Sequence, residues 1–270
     1  MTDNQHIGVG CLSCRPDILS TRTAMLDAGQ AGHIQLLIIP GHPESTDQSL
    51  EICESYTGMI RIHAPHHLHQ VNPCAPDLFP GKKPDSIAHY IEDAMALTCE
   101  AADRTASPVI VIHAGQYLPG TKNEAIFRFH EFLDTYQDPR FILESLPALV
   151  PGLPFLGTTP EELEQLGKHQ IAGYCLDFPH LWCTAESTGS PIANLMEQME
   201  NLPICFSHLS GSPGADSEHQ HLLFDDPENR YDLTIAHSFL SHHQNLEVSL
   251  EFATNDPDVI RDQIRILTHL

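Results

Sequence analysis

Basic residues are scarce in this sequence, which has 13 Lys and Arg against 36 Asp and Glu and a formal net charge of -23 at pH 7. A surface of that sign repels long polyanions, because a nucleic-acid binder needs cations along the phosphate backbone. Duplex DNA is therefore a disfavoured partner, although charge alone does not exclude it. A small molecule is the expected substrate.

Long apolar runs are also missing. No stretch approaches the roughly 18 apolar residues of a membrane span, and the N-terminal residues lack the pattern of a signal peptide. The eight Cys are scattered, several within apolar runs, which favours reduced thiols over a disulfide framework. We expect a cytoplasmic protein with no membrane partner. Cys11-Leu-Ser-Cys14 forms a CxxC motif without a second pair, and the sequence leaves its role open.

Histidine, by contrast, is abundant, with 19 residues in a chain of 270. Surface positions and a few core positions do not account for so many. Because imidazole is the commonest metal ligand in proteins, this excess is a first indication of metal binding.

Short apolar or β-branched runs recur along the chain, each followed by a turn and a longer segment with helical spacing. The predicted strands are His6–Gly10, Ile34–Pro40, Met59–His63, Pro108–His113, Arg140–Glu144, Ile171–Asp177, Pro203–His208 and Leu246–Glu251. The predicted helices include Asp85–Asp103, Lys122–Tyr136, Pro160–Lys168, Pro191–Glu200, Tyr231–His243 and Pro257–Thr268. Eight such units predict an α/β fold, a closed (β/α)8 TIM barrel forming one domain over residues 1–270, because an open doubly wound sheet usually has about five or six strands.

Six consecutive predicted strands end in a histidine or a carboxylate, directly after an apolar run. These residues are His63, His113, Glu144, Asp177, His208 and Glu251. In a TIM barrel the C-terminal ends of the strands meet at one mouth, where such folds place their active sites. Strand alternation places each polar end above an inward-facing stack, formed by Val109 and Val111 below His113, Ile142 below Glu144, Cys175 below Asp177, and Ile204 and Phe206 below His208.

So many carboxylates and imidazoles could not stay ionised at one apolar mouth without compensating cations, because desolvation and repulsion would protonate the acids. Bound metal resolves this conflict. Mixed nitrogen and oxygen ligands without thiolates suit Zn, Mn or Fe, and the sequence does not choose among them.

Further candidate ligands lie in the loops beyond the strands. His180 stands three residues after Asp177, where a turn can bring both to one site. The loop after the seventh strand adds His219 and His221, with Asp216 as an alternative to His219. After the third strand, His66, His67 and His69 are alternatives to His63.

The strand-end motifs are Ile112-His113-Ala114-Gly115, Leu143-Glu144-Ser145, Cys175-Leu176-Asp177-Phe178-Pro179-His180, Phe206-Ser207-His208-Leu209 and Leu250-Glu251. Spacings of 31, 33, 31 and 43 residues separate positions 113, 144, 177, 208 and 251. Their order and spacing resemble the xylose isomerase-like TIM barrel superfamily, especially its endonuclease IV branch (AP endonuclease family 2). The resemblance runs from about Met59 to the C-terminus.

The resemblance implies that Glu144 bridges two ions, one held also by His113 and the other by Asp177, His208 and Glu251. It further implies a third ion on His180 and the 219–221 segment. The chain departs from the branch in two places: His219-Gln220-His221 replaces Asp-x-His, and a shifted His cluster follows the third strand. We therefore expect two or three divalent ions.

Three functions fit these residues. The first is hydrolysis of a phosphoester, in which ions held by Glu144 and Glu251 activate a water and bind a phosphoryl oxygen. Hydrolysis is favoured because one ion needs about four protein ligands and the sequence offers more candidate ligands than one ion requires. The second, as in other branches of the superfamily, is isomerisation or epimerisation of a sugar with one ion, where the two glutamates exchange a proton at carbon and His180 orients the substrate. The third is a metal-binding barrel without catalysis, whose ligands would close the coordination shell.

Overall fold

Eight parallel strands close into a barrel in the computed structural model, which describes residues 4–78, 84–148, 152–167, 171–216 and 221–269. The strands are β1 (Ile7–Leu12), β2 (His33–Leu37), β3 (Ile60–His63), β4 (Ile110–Ile112), β5 (Phe141–Glu144), β6 (Gly173–Asp177), β7 (Ile204–Leu209) and β8 (Glu247–Leu250). Each strand pairs with the next, and β1 pairs with β8 to close the ring. The predicted (β/α)8 TIM barrel is confirmed, with strand limits shifted by a few residues.

Helices follow the strands around the outside. They are α1 (Pro16–Asp27), α2 (Pro43–Glu54), α3 (Pro84–Thr105), α4 (Lys122–Tyr136), α5 (Pro160–Gly167), α6 (Phe178–Thr188), α7 (Ile192–Met199), α8 (Leu233–His242) and α9 (Pro257–Thr268). Acidic caps begin several of them, because a carboxylate oxygen satisfies an unpaired N–H of the first turn. In α8 Asp232 accepts from Thr234 N at 3.0 Å, and in α9 Asp256 accepts from Asp258 N at 2.9 Å.

The turn that brings Asp177 and His180 together is the first turn of a helix. α6 begins at Phe178 directly after β6, with Asp177 as its N-cap and Pro179 in its first turn. A proline is favoured there, because its fixed φ suits the helix and its missing N–H would have no partner anyway. The consequence for the site is that His180 is held on a regular helix.

An apolar layer fills the barrel beneath its mouth. Val111, Ile142, Cys175 and Phe206 are fully buried and form a cluster separate from the core between strands and helices. Because side chains alternate along a strand, the next inward positions are His113, Glu144, Asp177 and His208. His113, Glu144, Asp177 and His208 therefore stand above an apolar layer on the β4–β7 side of the barrel, as the alternation predicted.

The prediction for Ile204 is wrong. The register between β6 and β7 shifts after Tyr174, so that Tyr174 pairs with Ile204 whereas Cys175 pairs with Phe206, leaving Cys205 as an extra residue. Such a bulge reverses the alternation locally. Ile204 consequently packs against the outer core, and the bulge sets His208 directly opposite Asp177.

Two long loops border the mouth. The loop after β3 contains short 3-10 turns at His67–His69 and Pro76–Leu78. In the loop after β7, Gly211 pairs with Leu222, and the carbonyl of His221 accepts from Ala253 N at 3.1 Å, so His221 lies next to the end of β8.

The eight cysteines, all within the described ranges, form no disulfide. In the part of the chain that the structure describes, no helix is both long and apolar enough to cross a bilayer.

Candidate metal centre

The barrel mouth brings most of the predicted site residues together. Those that meet there are His63, His113, Glu144, Asp177, His180, His208 and Glu251. His221 joins them at the edge, with Nδ1 3.6 Å from Glu251 Oε2. His219 lies outside the described residues.

Glu144 is the central carboxylate. Its Oε2 atom lies 3.1 Å from His63 Nε2, 3.0 Å from His113 Nε2 and 3.2 Å from His208 Nδ1. Its Oε1 atom lies 3.3 Å from His180 Nδ1. With only 1% of its side chain exposed, Glu144 meets imidazoles from four different segments of the chain.

Asp177 has its two carboxylate oxygens in different roles. Oδ1 caps α6 by accepting from His180 N at 2.7 Å. Oδ2 faces the centre, 3.4 Å from His180 Nδ1 and 3.9 Å from His208 Nδ1. The backbone N–H of Asp177 donates to Ser145 Oγ at 2.9 Å, which fixes the end of β6 against β5.

His208 stands among three carboxylates. Its Nδ1 lies within 4 Å of oxygens from Glu144, Asp177 and Glu251, the last at 3.6 Å. Neither ring nitrogen of His208 makes a hydrogen bond to any described residue. Glu251 is also held by Gln35, whose Nε2 donates at 3.2 Å to the same Oε1 atom that faces His208.

Backbone carbonyls orient two of the imidazoles. His63 Nδ1–H donates to Ala64 O at 2.7 Å, and His180 Nδ1–H donates to Ser145 O at 2.9 Å. In each neutral ring the lone pair then sits on Nε2. For His63 that lone pair faces the Glu144 carboxylate, a repulsive arrangement that a proton or a cation between them resolves. A ring N–H bonded to a backbone carbonyl is also the usual support of a metal-ligating histidine.

The donor set fits divalent metal ions. Three groups around Glu144 have ligand atoms within 4.8 Å of one another: His63, Glu144 and His208; Glu144, Asp177 and His180; and Asp177, His208 and Glu251. The unpartnered nitrogens of His208 supply a second observation, because buried polar atoms are normally satisfied by a partner. Nitrogen and oxygen donors without thiolate suit Zn, Mn or Fe.

Without a cation the centre draws in protons. Burial raises the pKa of Asp177 to about 7. Burial lowers the pKa of His180, but Asp177 and Glu144 outweigh it and raise that pKa to about 9. Burial also raises the pKa of Glu144, but His113 and His208 hold it well below its ordinary value. The pattern shows a site whose carboxylates require positive charge nearby.

The other histidines of the β3 loop form a neighbouring group. His66 and His67 turn their rings towards His113 and the His69 ring packs against that of His66, whereas His63 faces Glu144. Burial lowers the pKa of His67 to about 3 and that of His69 to about 4, so these rings are neutral at pH 7. The shifted His cluster therefore supplements His63 and does not replace it.

Asp216, the sequence's alternative to His219, points away from the centre. It is exposed and lies 3.6 Å from Arg230 Nη1, which draws it outward. Cys11 and Cys14 belong to none of the potential metal groups found among the described residues.

The sequence interpretation missed Gln35 and Ser145. Gln35 is a buried polar residue inside the apolar run of β2, which is the signal that could have found it. Ser145 follows Glu144 in a motif that was noticed, but its two bonds to the β6–α6 corner depend on which strands are neighbours.

No protein-family model and no curated protein sequence matches this chain. Solved structures match it over nearly its whole length. A D-tagatose 3-epimerase-like protein gives a TM-score of 0.67 at 18% identity, covering 98% of this chain and 96% of its own. Endonuclease IV from Thermus thermophilus gives 0.62 at 15% identity over 98% of each chain. A xylose isomerase domain-containing protein from Salmonella typhimurium gives 0.61 at 10% identity, covering 100% of this chain and 96% of its own.

The chain thus has the fold of the xylose isomerase-like TIM barrels, and the resemblance predicted from its strand-end motifs is confirmed at the level of the fold. That fold is shared by proteins with different names, an epimerase-like protein and an endonuclease among them. Its reaction therefore has to be argued from the side chains at the mouth.

Proposed function

We propose that this chain is a metal-dependent hydrolase that cleaves a small phosphoester with two or three divalent ions. The observation that carries the proposal is the position of Glu144, whose Oε2 lies 3.0 Å from His113 Nε2 on one side and 3.2 Å from His208 Nδ1 on the other. Two ions at the roughly 3.5–4 Å spacing of two-metal sites need such a shared ligand. A single ion would leave His63 and His113 without a role.

The two glutamates differ in exposure, and we assign them different roles. Divalent ions at this centre would supply an activated water and neutralise charge on the phosphoryl group. Glu144, at 1% exposure, holds the ions, whereas Glu251, at 22%, faces the mouth and can exchange a proton with a bound substrate. His180, clamped by Ser145 O, presents Nε2 to orient the substrate.

The ion pairing of the lysine and arginine side chains supports a small substrate. Within the described ranges, Lys122 pairs with Glu162, and the arginines pair with carboxylates apart from Arg22, which donates to backbone carbonyls. With a net charge of -23, few of the cations in the described part of the chain are left to follow a DNA backbone; Lys82, Lys83 and Lys168 lie outside it.

Sugar isomerisation or epimerisation is a second candidate, favoured by a specific set of residues. Glu144, Asp177, His208 and Glu251 together offer a complete mixed shell for one ion, and two of the four are glutamates. In that reaction Glu144 and Glu251 would exchange a proton at a substrate carbon. An epimerase-like protein also stands among the structural matches.

Isotope incorporation separates the two reactions. Protein reconstituted with Zn²⁺, Mn²⁺ or Fe²⁺ is incubated with p-nitrophenyl phosphate, bis(p-nitrophenyl) phosphate and an abasic-site duplex in H₂¹⁸O, and with free ketohexoses in D₂O. Hydrolysis places ¹⁸O in the released phosphate or phosphomonoester, and we expect it with the small esters. Deuterium at a sugar carbon without any ¹⁸O transfer would overturn the hydrolase in favour of the isomerase.

Metal counting gives an independent measure. Mass spectrometry of wild type and Glu144→Gln, both purified without chelator, counts the ions of the Glu144 centre as the difference between the two proteins, and we expect two or more. One ion would favour isomerisation, and full occupancy without either reaction would favour the non-catalytic barrel.

A further inference from the structure

A second histidine cluster stands beside the Glu144 centre. His66, His67 and His69 come from the loop after β3, and His113 comes from the end of β4. The His66 ring centroid lies 4.5 Å from that of His69, 4.9 Å from that of His113 and 5.3 Å from that of His67. One nitrogen from each of His66, His67 and His113 lies within 4.8 Å of the other two, in a group that contains imidazoles alone.

The unpartnered atoms of this cluster point to a ligand. The Nδ1 atoms of His66, His67, His69 and His113 are all buried, and none has a hydrogen-bond partner among the described residues. A single buried nitrogen of this kind costs free energy, and four in neighbouring rings are far from the usual pattern of satisfied polar groups. Protonation does not relieve them together, because adjacent imidazolium rings repel one another.

The backbone holds the loop in place. His69 N and Val71 N both donate to His66 O, at 2.7 and 3.2 Å. Tyr90 on α3 donates its hydroxyl to His69 O at 3.1 Å, and the His67 ring packs on Phe155 with centroids 4.9 Å apart. The rings are therefore positioned by bonds that do not use their nitrogens, as a preorganised ligand site requires.

We propose that His66, His67 and His113 hold a late first-row transition-metal ion of the Zn²⁺ or Cu²⁺ kind, with His69 as a fourth imidazole at its edge. An all-nitrogen donor set favours these ions, whereas Mg²⁺, Ca²⁺ and Mn²⁺ prefer oxygen ligands. The site is distinct from the carboxylate centre, although His113 lies between the two, with Nε2 facing Glu144 and Nδ1 unpartnered. When ions occupy both sites, the His113 ring bridges them as an imidazolate, because its one N–H proton is released to solvent and both nitrogens then carry a lone pair. The imidazole site does not depend on which reaction Glu144 serves.

Metal binding to His67→Gln tests the site. His67 belongs only to the all-imidazole group, so the variant leaves the ligands around Glu144 in place. Chelator-treated wild type and variant are titrated with Zn²⁺ or Cu²⁺, and bound equivalents are counted after gel filtration. We expect the affinity for this ion to fall at least about 100-fold in the variant, since loss of a residue that merely orients a ligand costs roughly 10–100-fold in metal affinity. At metal concentrations that just saturate the wild type, the variant should therefore retain one equivalent fewer. The control is His42→Gln, which replaces an exposed histidine in the loop before α2 and should bind as many equivalents as the wild type with the same affinity.

Two further measurements make the result decisive. His66→Gln removes another member of the same group and should lose the same equivalent, and circular dichroism of the chelated proteins checks that both variants fold. The Cu²⁺ form should show nitrogen hyperfine coupling in its electron paramagnetic resonance spectrum that His67→Gln loses. Unchanged stoichiometry and affinity in both folded variants would overturn the site. Glu144→Gln should keep the ion of the imidazole site, and the double variant Glu144→Gln with His67→Gln should lose it. Failure of the imidazole site is therefore distinguishable from failure of the Glu144 centre.

Discussion

His208 Nδ1 lies 3.2 Å from Glu144 Oε2, yet it makes no hydrogen bond to that or any other described residue. A protonated imidazole in contact with a carboxylate would normally align its N–H on the oxygen. Two groups that approach so closely without aligning leave a third point nearby at which both lone pairs can meet a cation. The relationship is the simplest geometric sign of a metal centre in this molecule.

Glu144→Gln should remove the metal of the Glu144 centre and the activity while leaving the fold intact. The residue stands at the mouth above the apolar layer, so its loss creates no cavity in the core. Because metal ions supply several kcal/mol of transition-state stabilisation and each 1.4 kcal/mol is tenfold, kcat should fall by at least about 10³-fold. Elemental analysis and steady-state kinetics give the result. The matched control is Glu228→Gln, an exposed glutamate, and equal metal content in the two variants would contradict the assignment.

Removing metal should destabilise the protein at neutral pH. A ligand that binds only the native state at 100 times its Kd adds about 2.7 kcal/mol of stability. At roughly 2–4 °C per kcal/mol for a chain of this size, chelation should lower Tm by about 5–10 °C, and added Zn²⁺ or Mn²⁺ should restore it. Differential scanning calorimetry with and without chelator makes the measurement, and a midpoint indifferent to chelator speaks against bound metal.

Gln35→Leu should weaken metal binding without unfolding the barrel. Gln35 Nε2 is the donor that holds Glu251 Oε1, and leucine keeps the volume but removes the bond. Loss of an orienting partner costs roughly 10–100-fold in metal affinity or activity. Competitive titration against a chromophoric chelator measures the change. Gln48→Leu, on the exposed face of α2, serves as the control, and identical affinities would show that Gln35 has no positioning role.

His33 should make the chelated protein lose stability in acid. Burial is the main cause that lowers its pKa to about 3; Arg61, His208 and His6 act in the same direction and Glu247 opposes them. The unfolded state has the ordinary pKa of about 6.5 and binds the extra proton, so stability is full above pH 6.5 and falls towards pH 3. At about 1.4 kcal/mol per pH unit the loss reaches about 2–3 kcal/mol by pH 4.5.

Replacing the ring isolates that contribution. Urea unfolding of wild type and His33→Gln, both with chelator, should show a shallower pH dependence in the variant between pH 7 and 4.5. If the unfolding free energies of the two proteins change with pH in parallel, His33 takes up its proton in the native state and the prediction is wrong.

Much of the fold and site could be predicted because apolar runs end in polar residues at regular intervals. His113, Glu144, Asp177 and His208 are each two positions beyond an inward apolar residue, so alternation placed them together before any tertiary contact was known. Ile204 escaped the same logic, because the extra residue Cys205 reverses the alternation and nothing local to the sequence marks it.

The parts that could not be predicted depend on which strands are neighbours. Gln35 reaches Glu251 only because β2 and β8 flank β1 in the closed ring. The choice between His63 and the histidines after it was settled by a short-range bond, His63 Nδ1 to Ala64 O, which turns that ring inward. Three similar residues in one loop carry no sequence signal that separates them.

The apolar layer of Val111, Ile142, Cys175 and Phe206 has no exposed surface, and it lies below the polar ring on the β4–β7 side of the barrel. On that side, ions, water and reactants therefore reach the Glu144 centre from the mouth of the barrel. A molecule bound at the mouth obstructs access to the ions beneath it. A saturating substrate analogue should therefore slow the extraction of metal by a chelator, so that substrate has to leave before the ions can.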